Sequence, residues 1–374
     1  MYLISNKFYL PLIFLIFLNN LFALEYNINI IQSKIVYKEK GIYACFPNIF
    51  TIKDTIIIGF STRKTSSHYD KEGGGKRYIS TDNGSTWYET KQNHIYPGYK
   101  NLEGNYTITV PKNWRKINKE DLQKKRDESI TIKESNGFFW ESIGMYQKTI
   151  NSKGVQISSK SIQLPKHSLL MGTNLSSYHR RDDGARLISL FGKLNNRQKD
   201  NQIFILQSFD DGKKWTFIKP YSDPGKIGNI GLGETALIET EKNIIIGISR
   251  GSDGYLYSSH SKNFGSNFGS NWSNPRKMNI LGHPANLIKL NRNLLVCTYG
   301  YRKSPIGIRA IILDSETLEF KSKEFILRAD GKGNPYDTGY PMTINLKENT
   351  FLTCYYFTSA DNITHIATTK WEII

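Results

Sequence analysis

Four stretches of the chain repeat one pattern of apolar and polar positions. Residues 46–60, 233–249, 283–299 and 340–356 each place a mixed strand, a short turn and then a very apolar strand. The apolar strands are Ile56-Ile57-Ile58-Gly59-Phe60, Ile244-Ile245-Ile246-Gly247-Ile248, Leu294-Leu295-Val296-Cys297 and Phe351-Leu352-Thr353-Cys354. Short runs this rich in β-branched and aromatic residues, bounded by turn residues, predict buried strands. A fifth unit runs from about His167 through Arg186-Leu187-Ile188-Ser189-Leu190-Phe191 to Trp215. Segments 129–133, 138–140 and 155–164 supply a sixth, in the region where the pattern is poorest. Residues 26–37 alternate apolar and polar positions (Ile28, Ile30, Ile35) and read as a strand that completes the last unit and closes a ring. Such closure removes free sheet edges. The polar stretches 193–201 and 251–254 read as loops, and the basic stretch 112–126, which also carries Glu120 and Asp121, as an exposed insertion.

Between these strands lies a recurring turn. Ser80-Thr81-Asp82-Asn83-Gly84-Ser85-Thr86-Trp87 reads as a tight hairpin in which Asp82 accepts backbone N–H groups and Gly84 takes a positive φ. Trp87 opens the next strand, with its indole able to fold back over the turn. The pattern S-x-D-x-G-x-x-W returns in full at Ser208-Phe209-Asp210-Asp211-Gly212-Lys213-Lys214-Trp215. It is weaker at Ser261-Lys262-Asn263-Phe264-Gly265, with Trp272 displaced, and a remnant survives over residues 313–320.

Length agrees with the repeat. Units of roughly 50–60 residues use nearly all of the 374 residues as one domain, and the 13% aromatic content suits many short strands. The expectation is an all-β fold, a single six-bladed β-propeller over residues 24–374. Residues 1–23 precede it: Lys7, an apolar run over 8–18 and a small-residue end at Ala23 read as a secretory signal peptide. An uncleaved anchor is the other reading of that segment. A secreted or extracytoplasmic protein is expected, monomeric and without stable membrane insertion after cleavage. Of the three cysteines, Cys297 and Cys354 fall at matching places inside apolar strands and read as small buried hydrophobes. No zinc, P-loop or dinucleotide signature occurs, so no metal or cofactor is expected.

The net charge of +17 has two readings: bias spread over a solvated surface, or attraction of an anionic glycan or surface. Nucleic acid is not expected, because no basic run is interleaved with aromatics on a compact element. The arginines narrow the question. Three of the apolar strands end in one: Arg63, Arg250 and Arg302. At one register of a ring these point toward one mouth of the central channel. Guanidiniums gathered there repel one another unless they share an anion, most simply a carboxylate paired bidentately.

The turns resemble the Asp-boxes of the sialidase (neuraminidase) family, whose repeats build a six-bladed propeller and whose boxes are structural. The resemblance covers most of residues 35–374. It implies a retaining, exo-acting glycoside hydrolase whose arginine triad holds the sialic acid carboxylate. Gly233-Glu234-Thr235-Ala236-Leu237 through Ile248-Ser249-Arg250 is similar to the family's catalytic glutamate and second arginine. Arg302 resembles the third arginine, with Arg309 a competitor. The family's aromatic-Arg-Ile-Pro motif is Ala44-Cys45-Phe46-Pro47 here, so Cys45 stands where the first arginine belongs and Arg63 is the candidate substitute.

By the same resemblance Asp70 is the general acid/base, with His68 tuning it or binding sugar and Glu72 a weaker candidate. Tyr340 is the nucleophile and Glu234 its base; a neutral phenol avoids repulsion by the substrate's carboxylate. His283 occupies the matching place in its own repeat. It keeps open a hydrolase or lyase on uronic-acid-capped glycans, since some propellers with related repeats use a pocket histidine. A non-catalytic glycan-binding propeller is the third reading.

Overall fold

The computed structural model describes residues 26–374 except 65–66, 69–72, 128–131, 136, 163, 165–168, 173–174, 194–199, 219–229, 241–243, 262–271 and 333–337. The chain is a six-bladed β-propeller. Strand β1 (Ile28–Tyr37) comes first and waits for the ring to close. Blade 1 is β2 (Tyr43–Ile52), β3 (Thr55–Arg63), β4 (Gly73–Ser80) and β5 (Tyr88–Glu89). Blade 2 is β6 (Tyr106–Ile117), β7 (Ile132–Ser135), β8 (Phe138–Ile150) and β9 (Gln156–Ile162), with a short helix α1 (Leu122–Asp127) between β6 and β7. Blade 3 holds β10 (Leu169–Gly172), β11 (Tyr178–Arg180), β12 (Arg186–Lys193), β13 (Gln202–Ser208) and β14 (Thr216–Ile218).

Blade 4 is β15 (Leu232–Glu239), β16 (Ile245–Gly251), β17 (Tyr255–Ser261) and β18 (Arg276–Leu281). Blade 5 is β19 (His283–Lys289), β20 (Leu294–Tyr301), β21 (Ile306–Asp314) and β22 (Phe325–Gly331). Blade 6 takes β23 (Gly339–Lys347), β24 (Thr350–Thr358) and β25 (Thr364–Ile373) from the end of the chain and β1 from its start. The pairing of β1 with β25, Ile28 opposite Ile373, ties the two ends together. The alternation over 26–37 predicted this closure. Blade 2 departs from expectation: the basic stretch read as an insertion begins inside β6 and continues into α1. Among the described residues, no helix is long and apolar enough to cross a membrane.

The apolar strands do what their composition requires. They are buried on both faces, and the core lies between consecutive blades. Blades 6 and 1 share Ile56, Ile58, Leu352 and Cys354; blades 4 and 5 share Ile246, Ile248, Leu295 and Cys297. Cys45 is fully buried in the first of these clusters.

The two full turns have one hydrogen-bond pattern. The Gly84 N–H donates to Ser80 Oγ at 2.8 Å and the Thr86 N–H to Asp82 Oδ1 at 2.9 Å. In blade 3 the Gly212 N–H donates to Ser208 Oγ at 2.9 Å and the Lys214 N–H to Asp210 Oδ1 at 2.7 Å. Both glycines have φ of +82°. Each turn also leans on the preceding blade. A Cβ at Gly84 would sit 2.8 Å from Leu352 of blade 6, and Trp215 donates its indole N–H to Gln147 of blade 2 at 2.7 Å. The tryptophan thus does more than cover its own turn. It docks one blade on the next.

Candidate active site

The opposite end of the ring is built from bulges. In four blades the first strand slips register near its start: between Cys45 and Asn48, Gly233 and Ala236, His283 and Ala285, and Gly339 and Met342. In three of them the bulged residue has a positive φ: 54° at Phe46, 45° at Glu234 and 47° at Tyr340. Side chains other than glycine adopt this region at a cost of about 1–3 kcal/mol, commonly where the strain aims a group at a site. All three line one cavity of about 1100 Å³ at the centre of the ring. At the fourth bulge Pro284 and Ala285 reach the cavity wall.

Glu234 and Tyr340 meet there from different blades. The Tyr340 hydroxyl donates to Glu234 Oε1, and Arg250 Nη1 donates to Glu234 Oε2 at 2.9 Å. Arg250 reaches the carboxylate because it lies one residue from the end of β16, directly opposite Gly233. Burial and the Glu234 charge hold the Tyr340 phenol well above its ordinary pKa, while Arg250 and Arg302 pull the other way. The resting phenol is therefore neutral, with its proton already directed at a carboxylate. Arg302 donates from Nε to the Thr338 carbonyl at 3.1 Å. Its field and that of Arg250 also bear on His283, which burial first and then these cations push down to about 3. Burial and these charges keep His283 neutral.

The remaining candidates separate clearly. His68 lines the cavity, with its ring 5.4 Å from that of Phe46. Arg63 does not reach the wall: it pairs with Tyr43, two residues beyond Ser61, the blade 1 counterpart of Arg250, and turns back, donating from Nη1 to the carbonyl of Thr62 at 2.8 Å. Arg309 is spent on the scaffold, where its guanidinium donates to the carbonyls of Ile308, Arg328 and Pro305. Of the three expected arginines only Arg250 lines the cavity; Arg302 stands off the wall on the Thr338 carbonyl and reaches Tyr340 and His283 through its charge. Cys45 is also corrected as the position that would face a ligand. The cavity-facing residue of that bulge is Phe46, edge-to-face with Tyr340 at 4.9 Å. Asp70 and Glu72 lie outside the described residues.

Several wall residues carried no repeat signal in the sequence. Arg77 comes from β4, His94, Tyr96 and Tyr99 from the connection between blades 1 and 2, and Asn201 from the edge of β13. They belong to different elements in each blade, so no internal alignment brings them together.

No protein-family model matches the chain, and no curated protein matches it in sequence. Solved structures do. A protein of unknown function from Dyadobacter fermentans is similar at a TM-score of 0.73 and 21% identity, over 93% of this chain and 99% of its own. The NanB sialidase of Streptococcus pneumoniae matches at a TM-score of 0.55 and 11% identity, over 91% and 70%. The leech intramolecular trans-sialidase, in complex with 2,7-anhydro-Neu5Ac, matches at 0.56 and 11%, over 92% and 70%. The likeness is one of fold: a sialidase-like propeller.

Proposed function

We propose that the protein is an exo-acting, retaining glycoside hydrolase of sialidase type, acting on a terminal sugar that carries a carboxylate. One observation carries the reading: a tyrosine, a glutamate and an arginine from blades 6 and 4 form a hydrogen-bonded chain at strained positions facing a cavity. In this reaction the Tyr340 oxygen attacks the anomeric carbon and its proton passes to Glu234. The bond to the leaving oxygen breaks as that oxygen takes a proton from an acid, the role proposed for Asp70. Water then attacks the same carbon and gives its proton to the Asp70 carboxylate, while Glu234 returns its proton to the Tyr340 oxygen as the bond to the sugar breaks. Arg250 holds the carboxylate, with Arg302 adding its charge, and Arg250 leaves Glu234 partly as it does so. Residues 1–23 direct export in the same proposal.

A fluorogenic sialoside tests this directly. Wild-type turnover should fall at least about 10³-fold in Tyr340→Phe, because the nucleophile is lost while the ring and its packing remain. A second reading has its own support. Phe46 presents a phenyl ring at the bulge of blade 1, leaving fewer cations for the carboxylate, and His283, next to the wall residue Pro284, is held neutral. Turnover of uronic-acid-capped oligosaccharides alone would favour that reading. Binding of acidic glycans without turnover of either would leave a lectin-like propeller.

A further inference from the structure

The repeat is broken at one more position near the bulges. One residue past the first pair after each bulge stand Ile49, Leu237, Asn286 and Thr343, in blades 1, 4, 5 and 6. All four are buried. Blades 1 and 4 fill the position with an aliphatic side chain, whereas blade 5 places an amide there, 6% exposed. A buried amide stabilises less than a leucine unless its polar atoms find partners.

Asn286 finds them on two other blades. Its Oδ1 accepts the Thr343 N–H of β23 at 2.9 Å, and its Nδ2 donates to Ser176 Oγ at 3.1 Å. The amide cannot be turned over, since a backbone N–H can meet only its oxygen. Ser176 lies in the short helical turn Leu175–Ser177, between β10 and β11 of blade 3. The next residue, Ser177, is buried and donates from Oγ to the Thr235 carbonyl at 2.6 Å, beside Glu234. Ser189 Oγ donates to the same carbonyl at 3.0 Å. Thr343 is fixed further by hydroxyl contacts with Thr298 at 2.9 Å and Thr353 at 3.0 Å. The bonds close a circuit. It runs from Tyr340 along β23 to Thr343, across Asn286 and the turn to Thr235, and through Glu234 back to the Tyr340 hydroxyl.

Such a circuit has work to do, because Tyr340 and Glu234 do not come from neighbouring blades. Blade 5 packs between blades 4 and 6, so the span from one residue to the other depends on what crosses it. We propose that Asn286 is a positioning residue: through Thr343 and the turn Leu175–Ser177 it sets the approach of the Tyr340 phenol to the Glu234 carboxylate. A misplacement of about 1 Å between reacting groups costs up to about 10²-fold in rate. The positioning rests on the bonds alone; its effect on turnover rests on the glycosidase reading.

Two measurements separate these. Asn286→Leu installs the residue that blade 4 carries at this position, removing both bonds while keeping the volume. Crystal structures of wild type and variant read the geometry. The Tyr340 hydroxyl and Glu234 Oε1 should part beyond hydrogen-bonding reach, past about 3.5 Å. An unchanged contact overturns the proposal, whatever the activity. Kinetics on an aryl sialoside read the consequence: kcat per folded molecule should fall about tenfold to 100-fold while KM stays within about threefold. Ser176→Ala should lower kcat less, and the double variant no further than Asn286→Leu, because both act in one circuit. Fully additive losses would put Ser176 outside it and overturn the proposal. Should Asn286→Leu unfold, Ser176→Ala carries both measurements. If wild type turns over no sialoside, the glycosidase reading fails and the crystal structures decide the positioning alone. A parted contact with undiminished kcat supports the positioning and removes the phenol–carboxylate pair from the reaction.

Discussion

The two ends of the ring are made by the same repeats and treat them in opposite ways. At the turn end, blades 1 and 3 repeat both backbone and side chains: serine, aspartate and glycine make the same bonds in each. At the cavity end, the blades repeat the bulge but fill it with Phe46, Glu234, Pro284 and Tyr340. One end needs identical residues because each turn does the same work, docking a blade on its neighbour. The other needs the repeat only as a bracket. Chemistry arises where equivalent positions carry different groups, so that an acid from blade 4 faces a phenol from blade 6.

The largest effect that would sharpen this contrast is at Glu234. Glu234→Gln keeps the shape but removes the base and the charge paired with Arg250, so turnover should fall about 10²–10⁴-fold with the fold intact. Steady-state kinetics beside a thermal melt check both halves. If activity survives, the bulge is a structural feature and the ends do not differ in kind.

Cys45→Arg tests the bracket itself. Sequence alignment with the family puts an arginine there, yet Cys45 is fully buried among Ile56, Ile58 and Cys354. The substitution should gain no activity and cost about 3–5 kcal/mol, the usual penalty of an unpaired buried charge, read from denaturant unfolding. An active, stable variant would mean that residue 45 can swing into the cavity.

That failure of alignment shows what the sequence carries and what it does not. The blades were legible because their apolar strands are buried on both faces, which leaves a run that tolerates few other residues. Closure through β1 was legible from alternation alone. The tyrosine and glutamate were found by register, since a bulge places its residue by backbone geometry. Register failed for Arg63 because strand ends aligned by sequence are not aligned at the bulge: Ser61, not Arg63, matches Arg250, and Arg63 bonds its own strand. It failed for Arg309 because a basic residue in a middle strand serves the carbonyls around it as well as a ligand. In blade 2 the segments giving β7, β8 and β9 were legible, but β6 was read as an insertion because its end is rich in Lys and Arg, which looks like solvated loop in one dimension.

At the turn end the expected effects are smaller. Gly84→Ala and Gly212→Ala should each cost about 2 kcal/mol, from a left-handed φ forced on a side chain and a clash at 2.8 Å with Leu352 or Arg186. Gly212→Ala should be the costlier. It presses on Arg186, which is buried and bonded to Asp211 and Thr107, whereas Gly84→Ala meets the free end of a leucine. Turnover per folded molecule should stay within about twofold, because neither turn touches the cavity. A turn substitution that altered KM would tie the two ends together and break the comparison.

Acid should loosen the two ends in different windows. His283 is pushed down to about 3 from 6.5, so the folded chain refuses a proton that the unfolded chain accepts. Its contribution is full above pH 6.5 and is lost as pH falls toward 3, at no more than about 1.4 kcal/mol per pH unit. The groups that set this are Arg250, Arg302 and Lys303 on one side and Asp253 on the other. Asp82, whose carboxylate takes bonds from Thr86, Ser80 and Ser85, is lowered to about 2 from 3.8. Its contribution is present above 3.8 and fades only as pH drops through 2, and its exposure keeps the effect small. Melting curves between pH 7 and 4.5 should therefore fall more steeply for wild type than for His283→Asn, while Asp82→Asn should run parallel to wild type over that range. Parallel curves for His283→Asn would mean that the histidine is not held neutral by burial and the arginines, and the cavity end would lose its distinct response to acid.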